Sequence, residues 1–115
     1  MNEILYEICR DAIEKLRSSA EGEQSALIQA AANVITLSCA VRRDGLLTME
    51  EAVQDWDSEF AKELALFTVE GTDPDRILEL ASNLYWIENP QGIQAMIDYL
   101  YLRGMLLFKQ ESRNI

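Results

Sequence analysis

Carboxylates are the side chains of this sequence with the most chemical potential, because the chain contains no histidine. The acids gather in two clusters, Glu50, Glu51, Asp55, Asp57 and Glu59, and then Glu70, Asp73 and Asp75. Two carboxyl groups can act as general acid and general base when a pocket holds them in unlike environments. These acids stand at predicted helix starts and links, where capping and the helix dipole favour them. We therefore expect no catalytic residue and no enzymatic activity, with an enzyme that uses a carboxylate pocket as the last alternative.

Metal and cofactor sites are not indicated by the spacing of the possible ligands. Residues 55–66 open with the alternating acids of a calcium-binding loop, but the sixth residue is phenylalanine instead of glycine and the twelfth is leucine instead of glutamate. The two cysteines, Cys9 and Cys39, have no Cys-x-x-Cys spacing and fit reduced, buried thiols. We expect no metal and no cofactor.

Composition and charge limit the possible partners. A chain of 115 residues is the length of one domain, and its formal net charge of −10 opposes binding to the phosphates of nucleic acids. The first residues lack the basic start of a signal peptide, which predicts a cytoplasmic location. We expect one helical domain over residues 1–115, with a frayed tail over 111–115.

The predicted elements are all helices, separated by glycine and proline signals at Gly22, Gly45, Gly71, Pro74 and Pro90. The fold class is all-α, a compact bundle of about five to six helices. Residues 24–41 contain no charge and are apolar nearly all round, so we expect the helix over about 23–44 to be the central helix and not a membrane span.

Short signals predict how individual helices begin, end and pack. Gly45 should close the second helix, Thr48 should cap the next one in a capping box with Glu51, and Ser58 or Asp57 should cap the fourth. In the last helix the spacing predicts a stripe of inward residues, comprising Ile93, Met96, Ile97, Leu100, Leu107 and Phe108. Gly104, in the same helix, should either let a neighbouring helix approach or permit a bend.

Aromatic residues of the last two helices give an alternative site. Tyr85 is adjacent to Trp86, and Tyr99 and Tyr101 flank a leucine, so some of these rings must point away from the core. They are either the rim of the core or a face that pairs with another chain. The second interpretation predicts a homodimer with a self-association surface of Tyr85, Trp86, Tyr99 and Tyr101.

Two blocks of the sequence resemble a known family. Residues 42–51, R-R-D-G-L-L-T-M-E-E, resemble the block R-x-E-G-L-L-A-L-E-E in the cytoplasmic region of MotA-type flagellar stator proteins. Residues 67–75, F-T-V-E-G-T-D-P-D, resemble that family's block L-x-V-D-G-T-D-P-E. The order of the blocks and the gap between them both match, and the resemblance covers about residues 26–88.

The resemblance implies a protein partner related to the flagellar motor. In that family this region touches the switch protein of the rotor through charged residues, and Arg42 and Glu50 occupy the places of the rotor-facing arginine and glutamate. The family's four membrane helices and proton path have no counterpart here, so proton conduction is not implied. We expect a soluble, non-enzymatic interaction module with partner-binding residues Arg42, Arg43, Glu50 and Glu51. The alternatives are a self-associating structural domain, and arginines that only complement a helix dipole.

Overall fold

A computed structural model describes the backbone of residues 2–17 and 24–113, and the side chains of residues 3–17 and 25–109. The described chain forms six helices and no strand, which confirms the all-α prediction. The helices are α1 (Asn2–Arg17), α2 (Gln24–Asp44), α3 (Thr48–Ala52), α4 (Glu59–Val69), α5 (Pro74–Glu88) and α6 (Ile93–Arg113). The predicted break at Gly22 lies outside the described residues. α6 continues to Arg113, and residues 114–115 lie outside the described part, so the frayed tail over 111–115 stays a prediction.

The central helix is α6, and the prediction that α2 occupies this place is wrong. α6 packs against α1, α2, α4 and α5. Most of the buried apolar residues of α6 are large. They are Ala95, Ile97, Tyr101, Leu102, Met105, Leu106 and Phe108. This face is rotated from the predicted stripe, because Leu107 is 48% exposed. Residue size explains the outcome, since burying leucine, methionine or phenylalanine removes far more apolar area from water than burying alanine.

α2 lies at the surface of the bundle although it carries no charge before Arg42. Within Ser25–Asp44 only 11% of the residues are buried. Ala30 and Leu37 face the core, whereas Ile28 and Ile35 are 69% and 65% exposed. By length and composition alone, this is the one helix of the described chain that could cross a membrane, a test that core helices of soluble proteins also pass.

The contact between α2 and α6 depends on the absence of a side chain at Gly104. A Cβ atom built on Gly104 would lie 3.0 Å from Cγ1 of Val34, closer than nearly all real contacts of this kind. Of the two predicted roles for this glycine, close approach of a neighbouring helix is therefore the one that the structure bears out. This close contact between α2 and α6 brings Leu37 and Ala30 to the core.

A hydrogen-bonded cluster joins α1 to the end of α5. The hydroxyl of Tyr85 donates to Oδ2 of Asp11 over 2.6 Å, and the same carboxylate oxygen lies 2.9 Å from Nζ of Lys15. Nζ of Lys15 also donates to Oδ1 of Asn89 over 2.7 Å. Burial opposes ionisation of Asp11, but the hydrogen bonds from Tyr85 and Lys15 outweigh it and lower the pKa of that carboxyl. Burial and the hydrogen bond to Asp11 raise the pKa of Tyr85.

Candidate functional site

The four residues predicted to bind a partner all lie on the surface, at the junction of α2 and α3. Arg42 and Arg43 are in the last turn of α2, and Glu50 and Glu51 are in α3; all four are exposed. We call these four residues the charged corner. Gly45 closes α2 as predicted, with a φ of +89° and its N–H donating to the carbonyl oxygen of Val41 over 2.8 Å.

The short helix α3 is held by its apolar residues and not by the predicted capping box. The residue before α3 is Leu47, which already has helical torsion angles (φ −63°, ψ −25°), so no side chain caps this helix. Thr48 is instead the first residue of α3. A capping side chain needs an extended backbone to turn back on the helix, and Ser58 has that conformation at the start of α4, where its Oγ accepts from the N–H of Ala61 over 3.0 Å.

Anchoring of α3 fixes the position of the acids in the charged corner. Met49 is fully buried and Val53, the residue that follows α3, is 2% exposed, so one face of this five-residue helix is held against the core. Leu47 precedes α3 and is 76% exposed. The sequence analysis missed this exposed leucine between cationic and anionic residues. The available signal was the pair of leucines between Gly45 and Thr48, of which only one can face inward.

The four aromatic residues predicted for self-association do not form one surface, and this prediction is corrected. Tyr85 is fully buried and Tyr101 is 5% exposed, with the ring of Tyr101 stacked on Trp56 at 5.1 Å between centroids. Tyr99 is half-buried, and burial together with a hydrogen bond to Cys9 raises its pKa. Trp86 alone of the four is exposed, at 42%. The first interpretation placed these residues at the rim of the core. Tyr99 lies there, whereas Tyr85 and Tyr101 lie within the core.

A cleft lies between α2, α5, α6 and the start of α4. Its volume is about 510 Å³. Four carboxylates line it, namely Asp57, Glu59, Glu88 and Asp98. The remaining lining residues are apolar or neutral and comprise Ala26, Gln29, Ala30, Asn33, Ser58, Phe60, Pro90, Gln94, Ile97 and Tyr101. We call this feature the acidic cleft, since its described lining contains neither lysine nor arginine.

Asp98 is the one carboxylate of the acidic cleft that the fold buries. It is 2% exposed, and its Oδ1 accepts a hydrogen bond from Nε2 of Gln94 over 2.8 Å. Burial raises the pKa of Asp98 to about 6, the hydrogen bond from Gln94 lowers it in part, and the negative charge of Glu88 raises it further. A buried acid with a shifted pKa in a cleft is a candidate binding group.

Sequence reasoning missed Asp98 as a site residue, although a signal was present. Asp98 has the same helical spacing as Ala95, Leu102 and Met105, which are all buried. An acid on the stripe of α6 that faces the core must either be buried or line an opening. The acids Asp57 and Glu59 had been assigned to caps and links, and they also line the opening.

Comparisons with models of protein families, with curated proteins and with solved structures found no match to this chain.

Proposed function

We propose that this protein is a non-enzymatic, cytoplasmic protein-interaction module that binds a protein partner through the charged corner. The observation that carries the proposal is the position of Leu47, a 76% exposed apolar side chain with exposed arginines before it and exposed glutamates after it. An apolar side chain supplies contact area, and flanking charges of both signs orient a partner that has the complementary pattern.

Rigidity of the charged corner supports the same proposal. Met49 and Val53 bury the inner side of α3, and the glycine turn fixes the end of α2. Glu50 and Glu51 are therefore presented from a helix that is already ordered. Less conformational entropy is lost on binding when the contact surface is ordered beforehand.

The resemblance to the stator cytoplasmic region supplies the class of partner. In that family the residues at the places of Arg42 and Glu50 face the switch protein of the flagellar rotor. We propose a rotor switch protein as the partner, held by Arg42 and Glu50 with Leu47 between them. The proton path of the family forms no part of this function.

A binding measurement with the purified rotor switch protein of the same organism tests the proposal. Arg42→Glu and Glu50→Arg are each expected to weaken the complex by roughly tenfold or more, as expected for the loss of an oriented charge contact. Leu47→Ala should also weaken it. The matched control is the double variant Arg76→Glu and Glu79→Arg, which reverses an exposed ion pair of 2.9 Å on α5.

Stability separates a contact role from a folding role. Since these charges are exposed, the corner variants should unfold at nearly the same temperature as the natural protein. Equal binding by the natural protein and both corner variants would refute the proposed surface. No measurable complex with the switch protein would refute the proposed partner.

A second candidate function is self-association, and the exposed face of α2 favours it. Ile28 and Ile35 lie seven residues apart and are both more than half exposed, on a stretch with no charge before Arg42. Two copies that each carry a net charge of −10 repel one another, and a charge-free face minimises that repulsion. Light scattering should then give a dimer mass that Ile35→Lys reduces to a monomer. Loss of the dimer in Trp86→Lys but not in Ile35→Lys would place the contact at Trp86 instead.

A further inference from the structure

The acidic cleft has the size and lining of a site for a small organic molecule. Its volume of about 510 Å³ lies within the usual range for such sites, roughly 300 to 1,000 Å³. Apolar residues from α2 and α6, including Ala30 and Ile97, share the lining with acids from the start of α4, the end of α5 and α6. Such a lining accommodates an aliphatic molecule that carries positive charge.

One oxygen of Asp98 is available to a ligand. Oδ1 accepts from Gln94, and this is the one hydrogen bond that the Asp98 side chain makes in the described structure. Every fully buried polar side-chain atom of the described residues has a partner, so the second oxygen of Asp98 must be reachable from outside. Asp98 is 2% exposed and is one of the residues that line the acidic cleft. A carboxylate that accepts a single hydrogen bond can accept another from a charged donor.

The spread of the acids distinguishes between kinds of cation. In the described part of the chain no three acidic or cysteine side chains lie close enough together to hold a metal ion. Asp57 and Glu59 come from the start of α4, whereas Glu88 is at the end of α5 and Asp98 is in α6. Charges distributed over different walls suit a cation whose own charges are spaced along a chain.

We propose that the acidic cleft binds a free aliphatic polyamine, with one amino group on Asp98 and another near the start of α4. The amines are protonated at neutral pH and donate to carboxylates, while the methylene groups between them contact Ala30 and Ile97. This site is separate from the charged corner, so its failure or success does not bear on the proposed partner.

Binding should depend on pH through Asp98. Burial raises the pKa of this group to about 6, so its charge is complete above that pH and is lost as the pH falls through it. Glu88 at the end of α5 raises the pKa of Asp98, and Tyr85 of α5 also interacts electrostatically with Asp98. Asp57, Glu59 and Tyr101 line the same cleft, whereas α2 contributes no titratable group to its described lining. Spermidine affinity should therefore fall between pH 7 and pH 5 in the natural protein, and fall less in Asp98→Asn.

Calorimetric titration of the full chain with spermidine tests the proposal, in salt of about 0.15 M to screen loosely held counterions. One spermidine is expected to bind per chain. Asp98→Asn should weaken binding by roughly 30-fold or more, as for loss of one member of a buried charge pair. Ala26→Leu should also weaken it, because Ala26 is an exposed residue at the cleft and leucine occupies its space without altering charge.

The matched control is Glu63→Gln, which removes the same charge from an exposed position of α4 outside the cleft. It should leave spermidine affinity unchanged. Equal effects of Asp98→Asn and Glu63→Gln, or displacement of spermidine by magnesium at equal charge concentration, would show a diffuse counterion atmosphere and overturn the proposal.

Butylamine presents a single amine, as a lysine of a protein partner would, and should bind at least about tenfold more weakly than spermidine. Equal affinities would overturn the assignment to a polyamine.

Discussion

The two longest helices of this protein, α2 and α6, have 21 residues each but opposite positions in the fold. α2 has no charge before Arg42 and lies on the surface, whereas α6 contains Asp98, Arg103 and Lys109 and lies at the centre. Five of the 12 apolar residues of α2 are alanines, against one of 12 in α6, where the others are leucine, isoleucine, methionine, tyrosine and phenylalanine. The size of the apolar side chains, rather than the absence of charge, decides which helix the others surround.

Truncation of one apolar residue in each helix is the strongest test of this comparison. Leu102 in α6 is fully buried, so Leu102→Ala should lower the free energy of unfolding by about 3 to 5 kcal/mol through lost burial and a cavity. Ile35→Ala in α2 should change it by less than about 0.5 kcal/mol, because that side chain is 65% exposed. Urea unfolding measures both. Similar losses for the two variants would mean that α2 is covered in solution.

Neutralising Asp98 should stabilise the protein, because α6 buries a charge that α2 lacks. The pKa of Asp98 rises from 3.8 to about 6 on folding. Its ionisation therefore opposes folding. Below pH 3.8 Asp98 is protonated in both the folded and the unfolded protein, and its contribution to stability is greatest; this stability is lost as the pH rises through 6. Asp98→Asn should be more stable by up to about 3 kcal/mol at pH 8 and by about half as much at pH 5.

Unfolding by urea at both pH values measures this difference, with Glu63→Gln as the exposed control. A gain that is the same at pH 5 and pH 8 would indicate that charge burial is not its cause.

Filling the seam between the two helices should separate them. Gly104→Val places a branched side chain where even a Cβ lies 3.0 Å from Val34, and should cost about 1 to 3 kcal/mol. Val34→Ala removes the atoms that obstruct the new side chain, so the double variant should be more stable than the sum of the single changes predicts. A double-mutant cycle measures this coupling. Strict additivity would show that α2 does not rest on Gly104.

The smallest expected effect concerns the outer face of α2. Ile28→Lys should change the free energy of unfolding by less than about 0.5 kcal/mol in a monomer, since that side chain is 69% exposed. A larger loss that grows with protein concentration would show that the face is buried between copies. Thermal unfolding at two concentrations distinguishes these results.

Local signals in the sequence predicted the helices and most of their ends. The left-handed conformation at Gly45, the cap at Ser58 and the close approach at Gly104 follow from the properties of single residues and their neighbours along the chain. The capping box at Thr48 was wrong because the turn after Gly45 is already helical at Leu47. The charged corner is exposed, since four charged residues around a turn have little reason to be buried.

Tertiary packing alone decided which helix is central, which aromatic rings are covered and where the acidic cleft lies. The composition of α2 permits a core, a membrane or a surface position, and the choice depends on the larger side chains that other helices bring to α6. Tyr85 can be buried because its hydroxyl donates a hydrogen bond to Asp11, 74 residues earlier. Asp98 has its raised pKa because the fold buries it and brings Glu88 of α5 near it. Whether a side chain is buried depends on neighbours that are distant in sequence. Helical spacing indicates the direction of a side chain but not the residues that it contacts.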